Sequence, residues 1–235
     1  MTTLEHANNA ITAVCISKNA EAWSIPEIPF YSYTDGWKPF GREMGKERVA
    51  YLAERRNKAT SNALSTYPAT QHILMVDSYY LQQTKEILKL VQEYGKLTLS
   101  QGPPGLILGA STWIHDKTRV LPKLRFFDLW TTPEGRFITP DYASNHGGLV
   151  PVRAVGACYV YPRSVWEKVG YGVVDDLHGC EHNWLCERSG LPVTLSLNEM
   201  LWREPVVYSW PKRVRMSLHM SRFIGIRRTA NSLGV

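Results

Sequence analysis

The sequence predicts an α/β layer fold with a mostly parallel central sheet flanked by helices. Short apolar runs rich in β-branched residues recur along the chain, and stretches with helical apolar spacing separate them. The length of 235 residues suits one large domain, and 44% hydrophobic with 20% charged residues is the balance of a folded globular chain.

Residues 11–17 (ITAVCIS) read as a buried strand. Residues 23–45 are rich in Pro, Gly and aromatics and are expected to form a long irregular connection. A helix is expected over 47–64, where Val49, Leu52, Ala53, Thr60, Ala63 and Leu64 share one stripe. Residues 72–76 (HILMV) form a second strand ending at Asp77. A helix over 84–94 turns Ile87, Leu88 and Val91 inward, with Gly95 just past its end. Residues 105–110 (GLILGA) make a third strand, and 113–148 is expected to be loop-rich. Residues 155–161 (VGACYVY) make a fourth strand. It leads into a short helix in which Ser164 and Glu167 have capping-box spacing and Gly170 is the stop. A last helix over 181–189 halts at Gly190 and Pro192, and 193–197 is a fifth strand.

Ligands of such sheets sit at the carboxyl ends of strands, which draws attention to Asp77. A carboxylate there accepts hydrogen bonds in several directions and suits a metal or a sugar or ribose hydroxyl. A turn-forming Asp beside Ser78 is the ordinary alternative. Arg56 falls on the apolar stripe of its helix, where a charge is costly unless paired. Its fork suits phosphate, and equally a buried carboxylate partner. His178, Cys180, His182 and Cys186 lie within nine residues. A structural zinc site usually draws its ligands from two separated knuckles, so crowding at one helix start argues against zinc. Glu181 in the first turn, or Asp175 or Asp176 just before it, could act as a general base.

Six of the 27 basic residues and none of the 21 acidic ones lie in 205–235, so residues 1–204 are formally neutral. The chain therefore divides into a body over 1–204 and a basic C-terminal segment over 205–235. Within 211–228, Val214, Met216, Leu218, Met220, Phe223 and Ile224 mix with basic residues, a composition suited to an anionic membrane surface. A neutral body gives no electrostatic footprint for nucleic acid, which is not expected as a partner. The amino terminus has no basic region or apolar core of a secretory signal, and four cysteines without Cys-x-x-Cys spacing read as reduced thiols. A cytoplasmic location is expected, peripheral on the inner membrane face through the tail.

Together these segments resemble the nucleotide-diphospho-sugar glycosyltransferases of the A-type fold, a Rossmann-like architecture, and especially the inverting family 2-like enzymes. The resemblance covers roughly residues 11–204. It rests on the order of the first strand ending Ser17-Lys18-Asn19, RRNKA at 55–59, HILMVDSYY at 72–80, GLILGA at 105–110, VRAVGACYVYPRSVWEKVGYG at 152–172 and GCEHNWLCERSGLP at 179–192. It implies that residues 1–204 are a catalytic domain that transfers a sugar, a hexose in most such enzymes, to an acceptor hydroxyl by single displacement. Ser17, Lys18 and Asn19 would face the nucleotide base, and Arg56 would reach the nucleotide or diphosphate. Asp77 matches the first carboxylate of the Asp-x-Asp motif that holds ribose and metal, Mn²⁺ or Mg²⁺. Gly156 and Ala157 would line the sugar and acceptor site. Glu181, then Asp176, would be the catalytic base, so that Glu181→Gln would stop transfer and spare donor binding. The acceptor would be a glycan, a lipid-linked molecule or a protein.

Two positions depart from the family pattern. Tyr79 stands where the second Asp would be, and His182 stands where the acidic pair has its Asp. Cations for the leaving diphosphate are then a divalent ion on Asp77, with His219 or another distant ligand, or Arg56 and the basic tail. The rival readings are a sugar nucleotidyltransferase, which would want a Gly-rich, Arg-containing loop after the first strand, and a binding protein working through the tail.

Overall fold

The computed structural model describes residues 10–17, 24–34, 45–101, 105–116, 123–126, 148–174 and 180–203. The order of elements is β1 (Ile11–Ile16), β2 (Phe30–Tyr33), α1 (Lys46–Thr66), β3 (His72–Asp77), a short 3₁₀ turn (Ser78–Tyr80) and α2 (Thr84–Gln101). Then come β4 (Ile107–Asp116), β5 (Lys123–Phe126), β6 (Leu149–Pro151), β7 (Cys158–Pro162), α3 (Arg163–Val169), α4 (Glu181–Ser189) and β8 (Val193–Arg203).

One sheet runs β2-β1-β3-β7-β4-β8-β6, with β5 added to β4. Strands β2, β1 and β3 pair parallel, as do β4 and β8. Strand β7 is antiparallel to both of its neighbours, β3 and β4, and β5 and β6 are antiparallel to theirs. The α/β class stands, but the mostly parallel sheet is corrected to a mixed one. The reason is physical. Cys158, Tyr159, Val160 and Tyr161 are all buried because helices cover both sheet faces, and a strand buried on both faces reads as a continuous apolar run whichever way it points.

The alternation of strand side chains divides the core into two layers. Val14, Ile16, Ile73, Met75, Tyr159 and Tyr161 face α1, α3 and α4 with Ala53, Ala59, Ala63, Val165 and Leu185. Ile11, Ala13, Cys15, Leu74, Val76, Cys158 and Val160 face α2 with Ile87, Leu90, Val91 and Tyr94. Alanines on the inner face of α1 let its backbone lie close to β1 and β2. Each large aliphatic side chain buried in this way contributes ~1.5–3 kcal/mol against its exposed state.

Several elements differ from expectation. Strand β2 lies inside the connection expected to be irregular; it is half-buried, so its apolar alternation is blurred. Helix α2 runs through Gly95, because Leu90, Tyr94 and Leu97 continue its buried stripe to the next turn. Strands β5 and β6 fall within or beside the stretch expected to be loop-rich. The capping box on Ser164 is absent: α3 starts at Arg163, which pairs with Glu167 at 2.7 Å instead. Helix α4 begins and ends as expected, closed by Gly190 at φ 72°. Among the described residues, which include all four cysteines, there is no disulfide. No helix among them is long and apolar enough to cross a membrane.

Candidate functional site

Strands β1 and β3 end flush, with Ile16 beside Asp77, and β7 starts at that same edge, with Cys158 beside Val76. An antiparallel β7 is what delivers its first residues, rather than its last, to the carboxyl ends of β1 and β3. Ser17, Asp77 and the Gly156–Ala157 turn therefore meet there. The Asp77 backbone N–H donates to the Ala157 carbonyl at 2.7 Å. Ala157 holds φ 60°, a left-handed conformation that costs a residue with a Cβ about 1 kcal/mol or more. Ser17 is buried, and its N–H donates to the Tyr33 carbonyl at 3.0 Å. Lys18, Asn19, Asp175, Asp176, His178, His219 and all of 205–235 lie outside the described residues.

Arg56 reaches this edge from the buried face of α1. Its side chain is 3% exposed and spans two carboxylates. Nη2 donates to Asp77 Oδ1 at 2.7 Å and Nε donates to Glu181 Oε1 at 3.1 Å. Burial alone would favour loss of its proton, but Asp77 and Glu181 outweigh that and hold the guanidinium pKa well above its ordinary value. The two carboxylates differ in access: Glu181 is 2% exposed and Asp77 is 31% exposed. Arg56 Nη1 and Glu181 Oε2 are buried without a hydrogen-bond partner among the described residues.

His182, the next residue on α4, fixes a third corner. Arg56 Nη2 also lies 3.2 Å from His182 Nε2, and Arg56 can only donate. Nε2 must therefore accept, so the imidazole proton is on Nδ1, which donates to the Tyr159 hydroxyl at 2.9 Å. Tyr159 in turn bonds Tyr171 at 2.7 Å, and Tyr171 bonds Tyr161 at 3.0 Å. Burial, then the positive charge of Arg56, push the His182 pKa down to about 3, against the opposing effect of Asp77. Burial likewise pushes the Tyr159, Tyr161 and Tyr171 hydroxyls well above their ordinary value, so all three are protonated. Asn57, beside Arg56, holds the Tyr171 backbone through both of its amide atoms at 2.8 and 2.9 Å.

The sequence missed these tyrosines. The available signal was the alternation of Tyr159 and Tyr161 on one face of a buried strand, since a buried phenol requires a partner. It also left His182 a subsidiary part, whereas the imidazole sits at the centre of the polar cluster. Of the four side chains weighed for zinc, His182 turns to Arg56 and Tyr159, and Cys186 is buried in the core.

A scan against protein-family models found no match for this chain, and a search of curated proteins found none either.

Tyr79, in place of a second carboxylate, is a phenol 65% exposed, and Asp77 already gives one oxygen to Arg56. No group of three His, Cys, Asp or Glu side chains among the described residues is placed to hold a metal ion. The arrangement does suit a polar ligand. It offers one accessible carboxylate at a strand end, backed by a fixed guanidinium, next to a turn without bulky side chains.

Proposed function

We propose that the protein transfers a sugar from a nucleotide-diphosphate sugar to an acceptor hydroxyl. One observation carries the reading. Asp77 of β3, Arg56 of α1 and Glu181 of α4, on elements far apart in sequence, converge at the carboxyl edge of the sheet beside the strained Ala157 turn. This is where open α/β sheets bind ligands.

In this reading the exposed side of Asp77 accepts hydrogen bonds from ribose or sugar hydroxyls, and the turn at Gly156–Ala157 lets the sugar ring approach the backbone. Ser17 closes β1 at this edge, and Lys18 and Asn19, next in sequence, are assigned to the base. The acceptor oxygen loses its proton to a carboxylate and attacks the anomeric carbon. The bond from that carbon to the diphosphate breaks, and nucleoside diphosphate leaves with the electron pair. Arg56 Nη1, buried and without a partner among the described residues, is the donor assigned to that developing charge.

Glu181 is buried with Oε1 on Arg56, so we assign it to positioning the guanidinium and give proton abstraction to Asp176, on the segment that leads into α4. A divalent ion remains a proposal to be tested by chelation, and no step above is routed through it.

The test is thermal stabilisation by a panel of nucleoside diphosphates and sugar nucleotides, each with Mn²⁺, Mg²⁺ or EDTA. A ligand at about 100 times its dissociation constant adds ~2.7 kcal/mol. Stabilisation by one nucleotide family supports the reading, and its loss in EDTA would assign an ion. No stabilisation by any of them overturns it in favour of a binding role for the tail. Synthesis of a sugar nucleotide from sugar phosphate would move it to a nucleotidyltransferase.

A further inference from the structure

Arg56 is held at three points: Nε on Glu181, and Nη2 on both Asp77 and His182. The third differs in kind. Asp77 and Glu181 attract the guanidinium by charge, whereas His182 offers one lone pair in one direction. That lone pair points at Arg56 only while the imidazole proton stays on Nδ1. Nδ1–H in turn meets the Tyr159 hydroxyl, which can accept it. Tyr159 accepts from Nδ1–H, and its hydroxyl also bonds Tyr171, which in turn bonds Tyr161. Tyr159, Tyr161, Tyr171 and His182 are all buried, so the series is shielded from water. The reverse tautomer would set the Nε2 proton against the Arg56 N–H at 3.2 Å, and would leave it only Glu181 Oε1, at 3.5 Å, as acceptor.

We propose that His182 is a positioning residue whose Nδ1–H tautomer, held by the Tyr159–Tyr171–Tyr161 hydroxyl chain, fixes the plane of the Arg56 guanidinium for the donor diphosphate. It rests on the transferase reading above. The series also couples the site to the turn after α3. Tyr171 follows Gly170, whose φ of 62° ends that helix, and Asn57 clamps Tyr171 to α1 one residue from Arg56. His182 itself is not a proton acceptor for the reaction, because both of its nitrogens are engaged.

Two substitutions separate positioning from bulk. His182→Gln can place an amide oxygen near the Nε2 position and restore the acceptor for Arg56. His182→Asn reaches only to the Nδ1 position and cannot. The affinity of each variant is measured by calorimetry for whichever of UDP, GDP, ADP and CDP stabilises the wild type, with thermal stability recorded in parallel. Affinity within about threefold of wild type for Gln, and a loss of about tenfold or more for Asn, is the expected result; tenfold is the scale of one charge-assisted hydrogen bond. Equal affinities, or losses that track stability in both variants, would overturn the proposal.

A second readout does not depend on the donor. In ¹⁵N–¹H long-range spectra of the wild type, the signal lost in His182→Gln should show a protonated Nδ1 and an unprotonated Nε2. An Nε2–H tautomer there would overturn the proposal whether or not any nucleotide binds. If no nucleoside diphosphate binds the wild type, the transferase reading fails, and this spectrum still decides whether His182 positions Arg56.

Discussion

Arg56 Nη2 stands 2.7 Å from Asp77 Oδ1, joining the middle of α1 to the last residue of β3 through the buried layer of the protein. The bond joins one of the least exposed charges described to a carboxylate that solvent still reaches. Replacing Arg56 by Met removes the cation and strands Glu181, an acid at 2% exposure, without its partner. Breaking a buried pair from one side costs about 3–5 kcal/mol. Urea unfolding of Arg56→Met should show a loss of that size, and the double variant with Glu181→Gln should recover more than 1 kcal/mol of it. Strict additivity of the two changes would mean that the pair is not coupled in the folded protein.

Glu181, the first residue of α4, and Asp176, five residues earlier in sequence, should separate by phenotype. Glu181→Gln is expected to weaken nucleotide binding and to lower stability by ~1–3 kcal/mol, because its buried oxygen holds Arg56. Asp176→Asn is expected to leave both almost unchanged and to lower turnover by 10²-fold or more. This departs from the expectation that Glu181→Gln would spare binding, and the difference comes from burial, which a sequence does not display. Full binding with abolished turnover in Glu181→Gln would return the base to that residue.

Burial also explains what was legible. The strand HILMV, the stripe on α1 and the stop at Gly190 each depend on local spacing and appear where expected, whereas the strand expected over 155–161 begins only at Cys158, after the Gly156–Ala157 turn. Arg56 was detectable because a charge on an apolar stripe contradicts its surroundings. The direction of β7 and the length of α2 were not, since both follow from which neighbour a buried strand or helix finally packs on. The tyrosine chain was invisible for a similar reason. Tyr159 and Tyr161 read as core, and only Tyr171, from a separate turn, makes their hydroxyls a network.

Ala157 offers a local test of strain at the site. Its φ of 60° is the conformation that turns its carbonyl to the Asp77 N–H. Ala157→Gly should be neutral or stabilise by up to about 1 kcal/mol, since glycine adopts this region freely. Ala157→Val should destabilise by more than that, because a β-branched residue is strained there. Chemical denaturation of both variants reads the result, and a clear loss in the glycine variant would show that the methyl group, not the backbone, matters.

The basic segment predicts an interaction that the body does not. Vesicles with ~30% anionic lipid should retain the full chain and release a chain truncated after Trp210, with a steep loss on raising salt. Uncharged vesicles should retain neither. Equal recovery of the two chains on anionic vesicles would remove the membrane from the account. Retention of the full chain by DNA at the same salt would direct the tail to nucleic acid instead.

The pH dependence of stability follows from His182. In the fold its pKa is about 3, against an ordinary 6.5, so above pH 6.5 both folded and unfolded chains hold it neutral and its contribution is complete. Below 6.5 the unfolded chain takes up a proton that the fold refuses, and stability falls by ~1.4 kcal/mol per pH unit toward pH 3. His72, whose pKa burial also lowers, acts in the same direction. Unfolding free energies at pH 7, 6 and 5 should therefore decline on the acid side. His182→Gln should flatten the decline by close to one proton's worth, while His72 keeps its share. An unchanged slope in that variant would mean that His182 already carries its charge in the folded protein, beside Arg56, and would contradict the hydrogen-bond order assigned to the cluster.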